Sequence, residues 1–452
     1  MSKSATQNMT VGSPIKLIAR FFVPLLFGML FQQFYNMMDT MIVGQFLGAK
    51  ALASVGGTGS INFMIIGFCM GVCNGFAIPV AQSFGAQDHK SLRKYVANSA
   101  WLAIAFSVVT TIIVCVLCRQ ILVWMDTPSD IIDGSFSYIF VIFLGIPVIY
   151  LYNLLAGILR SLGDSKTPLY FLVVSSLLNI VLDLMAILIF HMGVAGAAWA
   201  TVISQGISGV LCLVYIGKKF PILKISKEEW RPDAKYMKRL CMMGIPMGLQ
   251  YSITAIGSVI LQTAVNSLGS IAVASMTAGN KISMIFCCPF DAMGSTMATY
   301  AGQNVGAGEL DRVTKGVKAC SFIGLVYSIV ACIILFLFGK NFVLLFIKKE
   351  EVEIIRNAAL LLKYLSLFYF PLALVNIVRF AIQGLGYSKL AILAGVCEMV
   401  ARAIVGFVFV PMIGFSAACC ASPVAWILAD AFLVPAYFFV IKSLKKKIAC
   451  RV

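Results

Sequence analysis

The sequence predicts an all-α polytopic membrane protein whose twelve transmembrane helices form two six-helix lobes related by pseudo-two-fold symmetry. Three observations lead to this prediction. Of the 452 residues, 60% are hydrophobic and only 12% are charged. The apolar runs reach the roughly 20 residues that a membrane-spanning helix needs, whereas strands of a membrane β-barrel alternate over about ten residues. The second half of the chain also repeats motifs of the first half in the same order.

Twelve apolar stretches meet the length requirement, and they leave little chain for a soluble domain. They are residues 15–41, 52–83, 92–118, 131–159, 167–190, 194–217, 237–266, 273–304, 313–338, 354–383, 388–410 and 415–441. We therefore expect an N-terminal lobe over residues 1–216 and a basic cytoplasmic linker over 217–239. The C-terminal lobe and its basic tail then occupy residues 240–452.

The net charge of +17 is distributed in a way that reports membrane topology. On these spans, 25 of the 35 Lys and Arg lie at the N-terminal end, in alternate loops or in the tail. Because cytoplasmic segments carry the excess of Lys and Arg, both termini are expected in the cytoplasm of a plasma-membrane protein. No nucleic-acid partner is expected. With two His, and with most Cys inside the apolar spans, no metal centre or other cofactor is expected.

Internal repeats divide the chain into two halves of one plan. Three motifs return after 221 to 223 residues: FLGAKALAS as SLGSIAVAS, AQSFGAQD as GQNVGAGE, and SLGDSK as GLGYSK. Since each half has an even number of spans, both copies enter the membrane from the same side. Parallel repeats of this kind are typical of transporters whose substrate site lies between the lobes.

The order of these motifs, with ILRSLGDSKTP at 158–168 and NIVLDL at 179–184, resembles the multidrug and toxic compound extrusion (MATE) family, most of all its bacterial branch. The resemblance covers roughly residues 15–440. It implies a secondary transporter, not an enzyme, that exports small organic cations in exchange for H⁺ or Na⁺. We expect it to work as a monomer in the lipid bilayer.

Two intramembrane acids, Asp39 and Asp183, mark a candidate cation site in the first half. On the first span Gln32, Asn36 and Asp39 follow helical spacing, and on the fifth Asn179 precedes Asp183 by one turn. Counting residues places Asp39, Asp183 and Thr201 about 12–14 Å from the outer helix ends. Carboxylate, amide and hydroxyl oxygens at one depth suit Na⁺ or a proton. A purely structural polar pair is the alternative.

The family resemblance points to the same positions. It implies coupling of H⁺ or Na⁺ at Asp39, Asp183, Asn179 and Thr201, with Na⁺ as the ion if a metal binds there. Asn36 and Asn153 are further candidates, although Asn153 lies nearer the cytoplasmic side.

The second half does not repeat this chemistry. At the repeat spacing Asp39 corresponds to Ile260, Asn179 to about Arg402, and Asp183 to about Gly406. Coupling is therefore expected in the first lobe only. Glu398 and Arg402 are one helical turn apart, in the order that favours a salt bridge.

The remaining candidates concern the substrate and the conformational change. The substrate cleft is predicted to use Gln32, Gln250, Gln262, Asp291, Met284 and Met293. Asp291 either meets a cationic substrate or pairs with a basic residue. Pro24 is the predicted hinge of the first helix, which bends when Asp39 is protonated. Two other functions stay open: a lipid-linked saccharide flippase of the same superfamily, and a passive channel. Direct use of ATP is not expected, because the sequence has no phosphate-binding loop.

Overall fold

The computed structural model describes residues 7–449. Within that range the chain is helical and contains no β-strand. The helices are α1 (Pro14–Leu47), α2 (Ala49–Gly57), α3 (Gly59–Gly85), α4 (His89–Trp124), α5 (Ile132–Leu144), α6 (Ile146–Ser161), α7 (Lys166–Leu184), α8 (Gly193–Lys219), α9 (Ala234–Asn266), α10 (Ser270–Gly306), α11 (Leu310–Val343), α12 (Val352–Leu367), α13 (Tyr369–Gly384), α14 (Ser388–Ile404), α15 (Val410–Ile413) and α16 (Phe415–Ala449).

Ten helical segments in the described range are long and apolar enough to cross a membrane, and two bent pairs raise the number to twelve. The first pair, α5 and α6, bends by 47° at Gly145, and the second, α12 and α13, bends by 52° at Phe368. Pro147 and Pro371 lie in the first turn after each bend, where a missing N–H is tolerated. The predicted spans 131–159 and 354–383 are therefore present as broken helices.

The described chain divides into two compact units. The first contains Val23–Gly248 with the residues before Met9, and the second contains Met9–Phe22 with Leu249–Val452. The division crosses α1 directly before Pro24 and α9 two residues after Pro246. Each unit carries a π-helical turn, Met185–Ile189 after α7 and Val405–Phe409 after α14, 220 residues apart. The repeat seen in the sequence is thus a repeat of backbone geometry.

In the first unit, small residues allow α3 and α9 to pack closely. A Cβ on Gly75 would lie 2.5 Å from the Cα of Gly244, and one on Gly71 would lie 2.6 Å from the carbonyl oxygen of Met247. Small residues at such crossings let helices in membranes gain van der Waals contact without a side chain between them. This crossing joins the first half of α9 to the hydrophobic core of the first unit.

The basic segment between α8 and α9 folds onto α4. Arg93 binds Glu229 through a 2.7 Å salt bridge, and the backbone N–H of Asp233 donates to Asn98 Oδ1 at 2.8 Å. The indole N–H of Trp101 donates to the carbonyl of Trp230 at 3.0 Å. The Arg93 guanidinium bonds both carboxylate oxygens and lowers the pKa of Glu229 to about 2. The linker is therefore held by specific contacts as well as by its basic charge.

Candidate cation site in the first unit

The centre of the candidate site is the carboxyl pair of Asp39 on α1 and Asp183 in the last turn of α7. Both side chains are buried, with 8% and 0% of their surface exposed. They are close enough for one carboxyl group to hydrogen-bond the other when it carries a proton. Asp39 Oδ1 and both oxygens of Asp183 receive no other hydrogen bond within the described residues. Two ionised carboxylates have no hydrogen to share, so a proton or a cation is what this arrangement lacks.

Asn179 and Thr201 lie next to the acids, as the sequence predicts. Asn179 is one turn before Asp183 on α7, and its Nδ2 donates to Thr201 Oγ1 on α8 at 3.4 Å. This bond directs the amide N–H₂ toward Thr201, and the buried Asn179 Oδ1 has no partner among the residues described. The structure therefore collects carboxylate, amide and hydroxyl oxygens from three helices at one place.

The π-helical turn Met185–Ile189 begins two residues after Asp183. It closes with the N–H of Phe190 donating to the carbonyl of Met185 at 3.0 Å. Such single wide turns insert one residue into a helix and occur often at functional sites. The sequence carries no local signal for it, because its residues, MAILI, would continue an α-helix equally well.

Three polar residues that sequence reasoning missed surround the acid pair. Tyr35 is buried, interacts with the side chains of Gln32 and Gln205, and lies near both carboxyl groups. Tyr138 of α5 is also buried and lies near both carboxyl groups. Helical spacing was a usable signal for two of them, because Tyr35 is one turn before Asp39 and Gln205 one turn after Thr201. Tyr138 comes from a different helix and had no such signal.

Asn36 and Asn153 are placed differently from the four central residues. Asn36 is exposed, whereas Tyr35 and Asp39 on the same helix are buried. The expectation that Asn36 shares the face of Asp39 is wrong, since the buried side of α1 runs through Tyr35 and Asp39. Asn153 is partly buried, and its Nδ2 donates to the carbonyl of Ile149 at 2.8 Å on its own helix.

The substrate candidates are both buried and exposed. Gln32 interacts with Tyr35 in the first unit. In the second unit Gln250 and Met293 are buried, and Gln383 Nε2 donates to Gln250 Oε1 at 2.6 Å. Gln262 donates to Asn266 Oδ1 at 2.9 Å, one turn along α9. The side chains of Asp291 and Met284 are exposed, and the predicted hinge Pro24 lies inside the continuous helix α1.

The second unit holds a buried charged cluster where the sequence predicts a single salt bridge. Arg402 Nη2 lies 3.3 Å from Glu398 Oε2, as the spacing predicts. Arg379 of α13 binds the other oxygen of the same carboxylate, a contact between helices that sequence spacing does not show. All three side chains are at least nine-tenths buried.

Comparisons with known proteins agree with this fold. The family model described as MatE matches residues 24–185 and 246–408, one match in each half. The Bacillus subtilis "Probable multidrug resistance protein YpnP" is 30% identical over 375 residues, 82% of this chain and 82% of that protein. The Staphylococcus saprophyticus "Multidrug export protein MepA" is 25% identical over 58% of each chain.

Solved structures show the same architecture. The "Outward-facing conformation of a multidrug resistance MATE family transporter of the MOP superfamily" is 22% identical with a TM-score of 0.91, covering 99% of this chain and 100% of the other. A second structure, "Crystal structure of MATE in complex with MaL6", gives the same identity, TM-score and coverage. The twelve-span, two-lobe prediction is confirmed, and the chain belongs to the MatE family of membrane transporters.

Proposed function

We propose that the chain is a secondary antiporter that exports organic, cationic, drug-like compounds in exchange for external H⁺ or Na⁺. The observation that carries this proposal is the buried pair of Asp39 and Asp183. An acid near the centre of a membrane span costs about 2.5–3.5 kcal/mol, and such residues are commonly retained for ion pathways and proton relays. Two such acids, with three buried oxygens that lack a donor, form a binding site for a positive charge.

Asn179 and Thr201 extend the proposed site from a proton acceptor to a possible Na⁺ site. Na⁺, like other hard cations, prefers carboxylate, amide and hydroxyl oxygens. A proton needs only the two carboxyl groups. The same residues therefore support either ion, and separate Na⁺ and pH gradients are needed to decide which is used.

The proposed substrate class rests on the relatives and on charge. The relatives named above are called multidrug resistance or export proteins. In the second unit, the exposed side chains of Asp291 and Met284 offer a negative charge and a flexible apolar surface, which suit a hydrophobic cation. We infer that external cation binding at the acid pair and substrate binding favour different conformations, so that each promotes release of the other.

The direct test is efflux of an ethidium-like dye from proteoliposomes under an imposed pH gradient or an imposed Na⁺ gradient. The parent protein is expected to respond to at least one gradient, and Asp39→Asn and Asp183→Asn to neither. Asp133→Asn is the matched control, because Asp133 is exposed and pairs only with the exposed Arg119 at 3.2 Å. Parental transport by both Asp39→Asn and Asp183→Asn would overturn the coupling assignment.

The same experiment separates the alternative functions. A lipid-linked saccharide flippase would need free basic groups for phosphates, whereas Arg379 and Arg402 already bind Glu398. Binding of a radiolabelled lipid pyrophosphate in place of the dye would favour that alternative. Dye flux that ignores an opposing ion gradient would favour a passive channel.

The proposed topology places both termini in the cytoplasm and the protein in the plasma membrane as a monomer. The basic linker supports this orientation, since its Lys and Arg belong on the cytoplasmic side. Protease protection of tags at either end, in inside-out and right-side-out vesicles, tests it. Protection of the two tags in opposite vesicle types would contradict an even number of spans.

A further inference from the structure

The stretch of the second unit that corresponds to the candidate cation site contains no acid. By the motif spacing of 223 residues Asp183 corresponds to Gly406, and by the π-helix spacing of 220 it corresponds to Ala403. Its partner Asp39 corresponds to Ile260 at 221 residues. A Cβ on Gly406 would lie 3.9 Å from the carbonyl oxygen of Ile260 and 3.2 Å from the Cβ of Ala264. The helices therefore meet here through backbone and apolar atoms.

A positive charge nevertheless occupies this place. Asn36 corresponds to Gly257 and Asn179 to Arg402, and in the structure these two counterparts touch. A Cβ on Gly257 would lie 3.3 Å from Arg402 Nη1 and 3.6 Å from its Cδ. The absence of a side chain at position 257 thus makes the space into which the guanidinium extends.

The carboxylate that balances this charge is Glu398, one turn before Arg402 on α14. It accepts from Arg402 Nη2 at 3.3 Å, and Arg379 holds its other oxygen. Asp430 of α16 and Asp291 of α10 lie near Arg379 and add negative charge on its side. Arg402 Nη1, on the side of Gly257, has no hydrogen-bond partner among the described residues. Glu398 therefore fixes the guanidinium at one edge and leaves its other edge against α9.

We propose that the guanidinium of Arg402 is a tethered cation, which permanently fills the second unit's counterpart of the ion site in the first unit. This inference rests on the proposed role of Asp39 and Asp183. The first unit binds and releases a cation in each cycle, whereas the second keeps an arginine that cannot lose its charge or leave. One unit then responds to the ion gradient, and the other holds a fixed charge of the same sign.

If the charge in this place is what matters, a free cation of the same shape should replace the side chain. Arg402→Ala leaves a buried space beside Gly257 and removes one of the two partners of Glu398. The variant is expected to unfold at a lower temperature than the parent and to transport dye about tenfold more slowly or worse, since breaking a buried charge pair is strongly destabilising. Millimolar guanidinium chloride should raise both its melting temperature and its efflux rate. The parent and the exposed control Arg356→Ala should show neither response, and urea at the same concentration should help none of them.

A pair of variants of similar length separates charge from hydrogen bonding and also covers the case in which Arg402→Ala does not accumulate. Arg402→Gln can still donate to Glu398 but is neutral, whereas Arg402→Lys keeps the charge. The proposal expects efflux from the lysine variant and a loss of about tenfold or more in the glutamine variant. Parental efflux by Arg402→Gln, or no effect of guanidinium on a folded Arg402→Ala, would overturn it. The melting measurement uses no ion gradient, so its result does not depend on whether Asp39 and Asp183 couple transport.

Discussion

The acid pair of the first unit predicts that Asp183→Asn makes the protein more stable while it abolishes coupled transport. Asp183 is completely buried in a membrane-spanning segment, and neither of its oxygens receives a hydrogen bond from another kind of side chain in the described structure. Nothing in that environment offsets the cost of the ionised group. Asparagine has the same shape without the charge, so the substitution should recover about 1–3 kcal/mol of the 2.5–3.5 kcal/mol that a membrane acid costs.

A second buried acid in the same chain provides a comparison of opposite sign. Glu398 lies between Arg379 and Arg402, so Glu398→Gln leaves two buried guanidinium groups without their carboxylate. Removing one partner of such a buried pair is expected to cost about 3–5 kcal/mol. Asp133→Asn, at an exposed site, should change stability by less than about 0.5 kcal/mol.

The assay is thermal unfolding of the purified protein in sodium-free buffer at alkaline pH, with dye efflux measured on the same preparations. The expected order of melting temperature is Asp183→Asn above the parent, Asp133→Asn equal to the parent, and Glu398→Gln below it. If Asp183→Asn were destabilised as strongly as Glu398→Gln, the two acids of the first unit would be a structural link between helices. The coupling assignment would then lose its main support.

Three further predictions follow from single contacts. Tyr35→Phe removes the hydroxyl that interacts with Gln32 and Gln205, so dye efflux should slow several-fold while its gradient dependence remains; an unchanged rate would show that the hydroxyl is dispensable. Gly75→Leu should prevent accumulation of folded protein, because its Cβ alone would lie 2.5 Å from the Cα of Gly244, whereas Gly56→Ala, which meets nothing within 4 Å, should accumulate normally. The depressed pKa of Glu229 means that the Arg93 contact stabilises the linker above pH 4.5 and is lost as pH falls toward 2; protease cleavage of the linker should increase over that range in the parent but show no such step in Arg93→Met.

Hydrophobicity predicted the spans well but not their interruptions. The runs 131–159 and 354–383 remain apolar through Gly145 and Phe368, so no change of composition marks the bends. The π-helical turns have the same explanation, since MAILI and VGFVF contain no residue that forbids an α-helix. In each case the backbone geometry depends on packing between helices, which a single stretch of sequence does not contain.

The candidate site was predictable where one helix or a count of depth was enough. Residue counting placed Asp39, Asp183 and Thr201 at one level, and the structure brings the two acids together and Thr201 next to Asn179. Counting could not decide which neighbouring ridge of α1 is buried, and so it misplaced Asn36. Tyr138 and the pairing of Arg379 with Glu398 join helices that are distant in sequence, so they required the tertiary structure.

The two units show that a repeat can preserve backbone geometry while its chemistry changes. Both keep a π-helical turn at the same place, and both bring the helix before that turn against the first long helix of the unit. In the first unit two carboxyl groups meet there, and in the second an apolar contact and an arginine replace them. A carboxyl pair can gain and lose a cation, whereas an arginine keeps its charge throughout. The difference therefore gives the ion gradient a single unit on which to act, because a lobe whose charge never changes has no state that the ion can favour.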